Sequence, residues 1–364
     1  MKAALINLDR KEVSGGMMHY CSQLANALAK TIDVTVILAD DVSTQLFEKN
    51  IEIKKITPPK TYLCKEVITS IPKLINILKG TDADIIHMTS GHPWLSLVLP
   101  LLKKVIKCPI VTTLHDPKPH AGETSIVKNI RIKSWIRNSD KIFVHGKNIK
   151  NELLAKRIPY TKIEIIPHGD YAFFTKWKDD SIHEELSVLF FGRILDYKGI
   201  QYLLQAEPMV TKEVENAKIV IAGVGDFQKY DKYILNDKNF EIVNEFIPDE
   251  EVASLFQRCA VVILPYIDGS QSGIIPIAYS FKKPVITTNV GSIPEVVEDG
   301  GTGYIVEAKN PKALAEKIVW LLQNDDLRKQ MGENAYKKMK EELSWDKIAE
   351  KTIEVYKEVI ADAK

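Results

Sequence analysis

Short apolar, β-branched runs alternate along the chain with longer stretches whose apolar residues recur every three or four positions. That alternation is the mark of βαβ units and of parallel sheets. In the first half the runs Lys2–Leu8, Val34–Ala39, Glu52–Lys55, Asp84–His87, Ile110–Leu114, Lys141–Val144 and Ile163–Ile166 predict strands, with helices in the gaps. A second set follows at Leu186–Phe191, Lys218–Ala222, Phe240–Asn244, Ala260–Leu264, Pro284–Thr288 and Thr302–Val306. The break falls near Pro167–Lys178, which divides the chain into domains at 1–170 and 171–345. Each is an α/β, doubly wound, Rossmann-like domain. The tail 346–364 predicts a helix, with Ile348, Thr352, Ile353, Val355, Tyr356 and Val359 near one face and Ser344 available as N-cap. That face requires an apolar partner, expected on the first domain.

At 364 residues the chain suits two domains, and 45% hydrophobic with 27% charged residues is the composition of an ordinary globular protein. Cys21, Cys64, Cys108 and Cys259 are widely spaced, which argues against a zinc knuckle or a disulfide framework and suits a reducing cytoplasm. There is no apolar run of membrane-spanning length and no signal-peptide core. The net charge of +1 conceals an asymmetry: residues 1–175 carry 25 Lys/Arg against 16 Asp/Glu, a balance of +9, and residues 176–364 carry 24 against 32, a balance of −8. A basic half suggests an anionic partner such as a lipid surface, a lipid diphosphate or a nucleic acid. Mutual attraction of the two halves would leave the same asymmetry. Nucleic acid is disfavoured because the basic residues lack interleaved stacking aromatics apart from Trp135.

In open α/β sheets ligands bind beyond the carboxyl ends of the strands, so the loops that follow strands carry the chemistry. Ser14-Gly15-Gly16 precedes a helix near Met17 and would let backbone amides approach an anionic ligand, although a plain turn needs the same residues. His115-Asp116 follows an apolar strand and suits a proton carrier or hydrogen-bond donor. His87 has the same placement with less support, and Asp82-Ala83-Asp84 enters a strand and reads as a solvated turn rather than a metal motif. In "FFGRILDYKG", Arg193 and Lys198 place a forked donor and a point charge above the sheet, a pair suited to a diphosphate. "IAGVGD" lacks the full dinucleotide fingerprint, so Gly223 and Gly225 read as close backbone packing beside a ligand. The loop "DGSQSG" brings Ser270, Gln271, Ser272 and Gly273 to a helix start with Pro276 in its first turn, a seat for an anion that needs no metal.

In this order the segments "ADIIHMTSG", "TTLHD", "IIPHG", "FFGRILDYKG", "IVIAGVGD", "NEFIPDEEVASLFQRCAVVILPY", "KKPVITTNVGSIPEVVEDGGTGYIV" and "LSWDKIAEKTIEVY" resemble the retaining GT-B glycosyltransferases of family 4 over nearly the whole chain. The resemblance implies two Rossmann-like domains facing across a cleft, the first for an acceptor and the second for a nucleotide-sugar donor. It implies that Arg193 and Lys198 meet the donor diphosphate, that His115 sits by the transferred sugar, and that Gly15 and Gly16 line the donor–acceptor junction. The backbone at Phe246 and Ile247, with Gly223, would face the nucleoside; Glu295 would reach the ribose or cap the next helix. No cofactor and no metal are implied. One departure stands out: many members carry two glutamates seven residues apart in the loop where this chain has "DGSQSGIIPIAYSF", and this chain has neither.

The expected function is therefore transfer of a sugar, with retention, to a hydroxyl of a glycan or lipid-linked acceptor in cell-surface polysaccharide or glycolipid synthesis. "WLSLVLPLLKKVIK" and "IVKNIRIKSWIRN" intersperse lysines and arginines with apolar residues, as helices at an anionic inner membrane face would, or as core-packed helices with solvated charges would. A nucleotide-sugar epimerase, a phosphorylase and a non-catalytic sugar-nucleotide-binding partner of a transferase are the alternatives that the missing glutamates leave open.

Overall fold

The computed structural model describes residues 1–9, 15–59, 65–118 and 126–363, without side chains for 126–128. Ser14 and Cys64 lie outside the described residues. The first set of elements runs β1 (Lys2–Asn7), α1 (Gly15–Leu28), β2 (Asp33–Ala39), β3 (Glu52–Ile56), α2 (Glu66–Thr81), β4 (Ile85–Met88), α3 (Pro93–Val105), β5 (Ile110–Thr113), α4 (Ile126–Asn138), β6 (Lys141–Val144), α5 (Lys147–Ala155) and β7 (Ile163–Ile165). The second runs β8 (Ser187–Phe191), α6 (Ile200–Glu213), β9 (Lys218–Ala222), β10 (Phe240–Val243), α7 (Asp249–Arg258), β11 (Val261–Leu264), α8 (Ile274–Ser280), β12 (Val285–Thr288), β13 (Gly303–Val306), α9 (Pro311–Gln323) and α10 (Asp325–Glu342). The chain closes with α11 (Trp345–Asp362).

Two compact units result. Of the described residues, one unit comprises those within 1–118, 126–169 and 344–363, and the other 170–343. The first holds a parallel sheet in the order β3-β2-β1-β4-β5-β6-β7, the second one in the order β10-β9-β8-β11-β12-β13. Continuous apolar runs form these strands because a central parallel strand is covered on both faces. In β1, Ala3 and Leu5 join the cluster with α1 and α11, while Ala4 and Ile6 join the cluster with α2 and α3. Successive side chains thus feed two layers, as the period of two requires.

The tail helix forms within the first unit. It lays Ile348, Ile353, Val355, Tyr356 and Val359 into the same core as Tyr20 and Leu24 of α1. Ser344 sits at its N-cap, but the hydroxyl makes no capping hydrogen bond, so burial of the apolar face holds the helix rather than the cap. His87 falls on the structural side: it is fully buried, its Nε2 lies 2.8 Å from Thr113 Oγ1 and its Nδ1 2.5 Å from Tyr356 Oη. Desolvation pushes its pKa down to about 3, so it is a neutral tie between β4 and α11. Asp82 and Asp84 form the turn before β4, where Asp84 accepts from the Lys2 N–H at 2.7 Å.

Candidate functional site

Each sheet has one point at which strand order reverses, between β8 and β11 in the second unit and between β1 and β4 in the first. The crevice at such a point is where an open sheet binds ligands.

In the second unit, Arg193 follows β8 and is exposed. Lys198 closes the 3-10 turn Asp196–Lys198. Its Nζ donates to Tyr266 Oη at 2.9 Å and lies 4.9 Å from that ring's centroid. Since Tyr266 follows β11, this contact joins the two loops that flank the reversal. Tyr266 Oη is 3.3 Å from Ser272 Oγ, which accepts from the Ile274 N–H at 3.3 Å. Lysine only donates, so the phenol takes the ammonium proton in hydrogen bonding and turns its own hydrogen to Ser272. Ser270 is buried and its carbonyl accepts from the Ser292 N–H at 3.0 Å. Among the described residues Gln271 Oε1 is buried without a hydrogen-bond partner, and Gly273 stands against the Tyr171 ring.

The anion seat expected at the start of α8 is thinner than the sequence suggests. The helix has seven residues, Pro276 has no N–H, and the Ile274 N–H is spent on Ser272. Gly273 and Ile275 carry the other N–H groups at the start of this helix.

The glycines of "AGVGD" serve the backbone. Gly223 has φ +142°, and a Cβ there would lie 2.2 Å from the Gly192 carbonyl oxygen. The segment after β9 runs against the one after β8, with the Ile194 N–H donating to Val224 O at 2.9 Å. Beyond β10, Phe246 is 71% exposed and Ile247 is buried. Glu295, itself exposed, ends the 3-10 turn Ile293–Glu295 and does not cap the next helix; that cap is Asn310, which accepts from the Ala313 N–H at 3.0 Å.

In the first unit, Gly15 and Gly16 are themselves the first residues of α1, and a Cβ on Gly15 would meet nothing within 4 Å. His115, just past β5, is buried; its Nε2 donates to Thr89 O at 3.1 Å and its Nδ1 lies 3.0 Å from His145 Nε2. The other nitrogen of His145 donates to Ile166 O at 2.9 Å. With both outer nitrogens donating to carbonyls, the contact between the rings is a hydrogen bond only if the pair holds one extra proton. Burial lowers both pKa values, so the neutral pair makes a close approach there and His115 presents a neutral ring. His168, of the "IIPHG" segment, completes the cluster 5.1 Å from His145 between centroids, and burial lowers its pKa to about 4.

A cavity of about 190 Å³ opens beside His115, lined by Met17, Gly91, Thr113, Asp116, Arg131 and Trp135 among others. Arg131 is one of the cations expected at a membrane surface; here its Nη2 donates to Gly91 O at 2.5 Å and its Nε is buried. Asp9, directly after β1, lies close enough for Arg131 to act on its charge, yet burial raises its pKa from 3.8 to about 6 against the pull of Ser90 and Arg131. Sequence reading passed over Asp9 and His145. The rule that found His115 applies to Asp9 as well, since it stands at a strand's carboxyl end, whereas nothing local marks His145.

Asp9 should leave a mark on stability. Between pH 3.8 and about 6 the folded chain keeps a proton that the unfolded chain has lost. Stability contributed by the neutral acid is therefore complete below the lower value and lost as pH rises through the upper one, by about 2 to 3 kcal/mol. The buried histidines with lowered pKa values make stability rise with pH in wild type and variant alike, so the Asp9 contribution is read from the difference: in urea unfolding from pH 4 to 7.5 the wild type should lose that amount relative to Asp9→Asn, and a difference that does not change with pH would remove the raised pKa.

Among the described residues no cluster of three or more His, Cys, Asp or Glu could hold a metal ion, and no helix is long and apolar enough to cross a membrane. Two family models match the chain, Glycosyltransferase Family 4 over residues 14–169 and Glycosyl transferases group 1 over 173–338. An uncharacterized glycosyltransferase of Methanocaldococcus jannaschii is 29% identical over 363 residues, covering 95% of each chain. The N-acetyl-alpha-D-glucosaminyl L-malate synthase of Bacillus anthracis is 25% identical over 305 residues, 80% of this chain and 79% of that one. In fold, the chain is similar to Anabaena HepE, solved with UDP and glucose, at a TM-score of 0.79 and 17% identity over 98% of this chain and all of that one. With one model matching each unit, the chain belongs to the family 4, group 1 glycosyltransferases and has their GT-B fold of two Rossmann-like domains.

Proposed function

We propose that this glycosyltransferase moves a sugar from a nucleoside diphosphate sugar to an acceptor hydroxyl with retention of anomeric configuration and without a bound metal. The observation that carries the reading is Lys198 Nζ, held on Tyr266 Oη at 2.9 Å at the strand-order reversal of the second sheet, in the same loop after β8 as the exposed Arg193. As the glycosidic bond breaks, charge builds on the diphosphate, and Lys198, held on Tyr266, together with Arg193 would bind that charge more tightly than they bind the ground state. An acceptor that attacks on the face the diphosphate leaves needs no protein nucleophile. A neutral His115 then lies by the transferred sugar as a hydrogen-bonding group rather than as a charge.

The loop without glutamates supplies different groups. Gln271 Oε1, buried and without a hydrogen-bond partner among the described residues, is an acceptor in want of a donor, and a sugar hydroxyl would be one. Phe246 and Ile247, with Gly223 behind them, would border the nucleoside, and Glu295 its ribose. UDP bound to a neighbour of the same fold makes UDP-sugars the first donors to try. In α3, exposed Leu97 and Leu101 lie near Lys104, which supports contact with an anionic inner membrane face and a lipid-linked or growing glycan acceptor in cell-surface synthesis.

A panel of UDP-, GDP- and ADP-sugars should contain one that raises the unfolding temperature, since ligand at a hundred times its dissociation constant adds about 2.7 kcal/mol. The anomeric proton coupling of the product made with that donor should match the donor's configuration, and EDTA should leave the rate unchanged. Inverted product would end the retaining reading. The missing glutamates also favour a second reading, a sugar-nucleotide-binding partner of another transferase; donor binding with neither transfer nor hydrolysis would select it.

A further inference from the structure

Lys198 is held by a phenol rather than by a counter-ion: among the described residues no carboxylate pairs with it, and its Nζ donates to Tyr266 Oη at 2.9 Å. Tyr266 is itself fixed from several sides. It is 2% exposed, its carbonyl accepts from Thr288 Oγ1 at 2.6 Å, and the Tyr197 ring meets it edge-on, 6.4 Å between centroids. The loop that carries Lys198 is pressed against the same segment. At Gly199, where φ is +66°, a Cβ would lie 2.0 Å from the Pro265 carbonyl oxygen, and the Ile267 N–H donates to Tyr197 O at 2.8 Å.

The hydrogens of this chain have one favourable arrangement. Lysine cannot accept, so Tyr266 Oη accepts from it. Were Ser272 to donate to the phenol as well, the phenolic hydrogen would be left in the interior without an acceptor, which is costly. With the phenol donating instead, Ser272 Oγ accepts from both Tyr266 and the Ile274 N–H. The hydrogen left over is then the one on Ser272, which is half-buried and open to a ligand.

We propose that Tyr266 is a positioning residue for the transfer: it aims the Lys198 ammonium and, through the same chain of hydrogen bonds, turns the Ser272 hydroxyl hydrogen toward the leaving diphosphate. The proposal rests on the reading of this crevice as the diphosphate site. A diphosphate oxygen only accepts, so a chain that ends in unspent donors suits it. Hydrogen bonds in such a chain polarise one another: the ammonium makes the phenol a better donor to Ser272, and the serine a better donor to an anion. Lys198 thus reaches the leaving group twice, through its own remaining hydrogens and through Ser272. Neither donor has to turn as charge builds on the diphosphate, which is the condition under which such groups lower a barrier.

The test uses the full chain with the nucleotide sugar found by thermal shift. Tyr266→Phe keeps the ring and its packing and removes only the hydroxyl. Its kcat should fall about tenfold to a hundredfold while the KM of the donor changes by less than about threefold, because the charge of Lys198 stays and its aim is lost. Ser272→Ala should lower kcat by a smaller factor. In a Lys198→Ala background Tyr266→Phe should cost no more than about twofold, since the group it positions is gone; a phenol that only supports the fold would slow both backgrounds equally. Binding gives a readout apart from turnover. The free nucleoside diphosphate carries the charge that develops on the leaving group, so Tyr266→Phe should weaken its binding more than that of the nucleotide sugar. Wild-type kcat in Tyr266→Phe or in Ser272→Ala, or equal slowing in both backgrounds, overturns the proposal. A wild-type chain that transfers no sugar, but whose binding of the nucleoside diphosphate depends on Tyr266, would instead remove the transferase reading and leave the positioning role standing.

Discussion

Replacing Arg193 or Lys198 by alanine should lower turnover by about two to three orders of magnitude each, with little change in the fold. The size follows from what removal of one preorganised donor to developing charge costs in other enzymes, about 2.7 to 4 kcal/mol. Arg193 is exposed, so its loss disturbs no packing. Lys198 is half-buried and its stem and ammonium rest on Tyr266, so Lys198→Ala should also lose about 1 kcal/mol of stability. The double variant should lose less than the product of the two single effects, because both cations act on one diphosphate. Rates close to the wild type in both single variants, measured with the donor found by thermal shift, would detach this crevice from the chemistry.

Gly223→Ala should destabilise the second unit by about 2 to 4 kcal/mol, read from the midpoint of urea unfolding at constant slope. Two causes add. At φ +142° the backbone is one that a side chain rarely tolerates, and the new Cβ would lie 2.2 Å from the Gly192 oxygen and 2.6 Å from its carbonyl carbon. The neighbour is backbone and cannot swing aside, so the segment after β8 must shift, and Arg193 with it. Turnover should fall along with stability. The outcome separates two roles for the same glycine: if it does no more than border the nucleoside, the variant would raise the KM of the donor at unchanged stability. A loss below 1 kcal/mol would mean that the two segments do not run as close as described.

The loops that follow β5, β8 and β11 were legible because the rule that finds them is local: an apolar run, then polar or glycine residues before a helix. Reading them correctly was another matter. Gly223 and Gly225 read as close backbone packing, and they do let two chain segments touch; which segments touch is not written in the sequence. Pro276 is permitted in a first turn, but it also removes an amide from the expected anion seat. Ser344 has the right residue type and position for a cap and makes no capping bond. In each case the residue type sets what is possible, and the packing around it selects.

The alternation of apolar runs and amphipathic stretches determined the two parallel sheets, the order of their elements and the buried face of α11, because burial of apolar side chains depends on patterns that repeat within a few residues. Tertiary structure alone decided which polar groups meet. His145 and His168 reach His115 only because β6 lies next to β5, and β7 next to β6, in the sheet. Arg131 lines a cavity, and the sequence left its surroundings open between a membrane face and the protein's own surface, because a helical pattern sets a side chain's direction and is silent about what stands opposite. Hydrogen bonds and charges act between specific atoms a few ångströms apart, and those partners are brought together by strand order, over separations that no local pattern records.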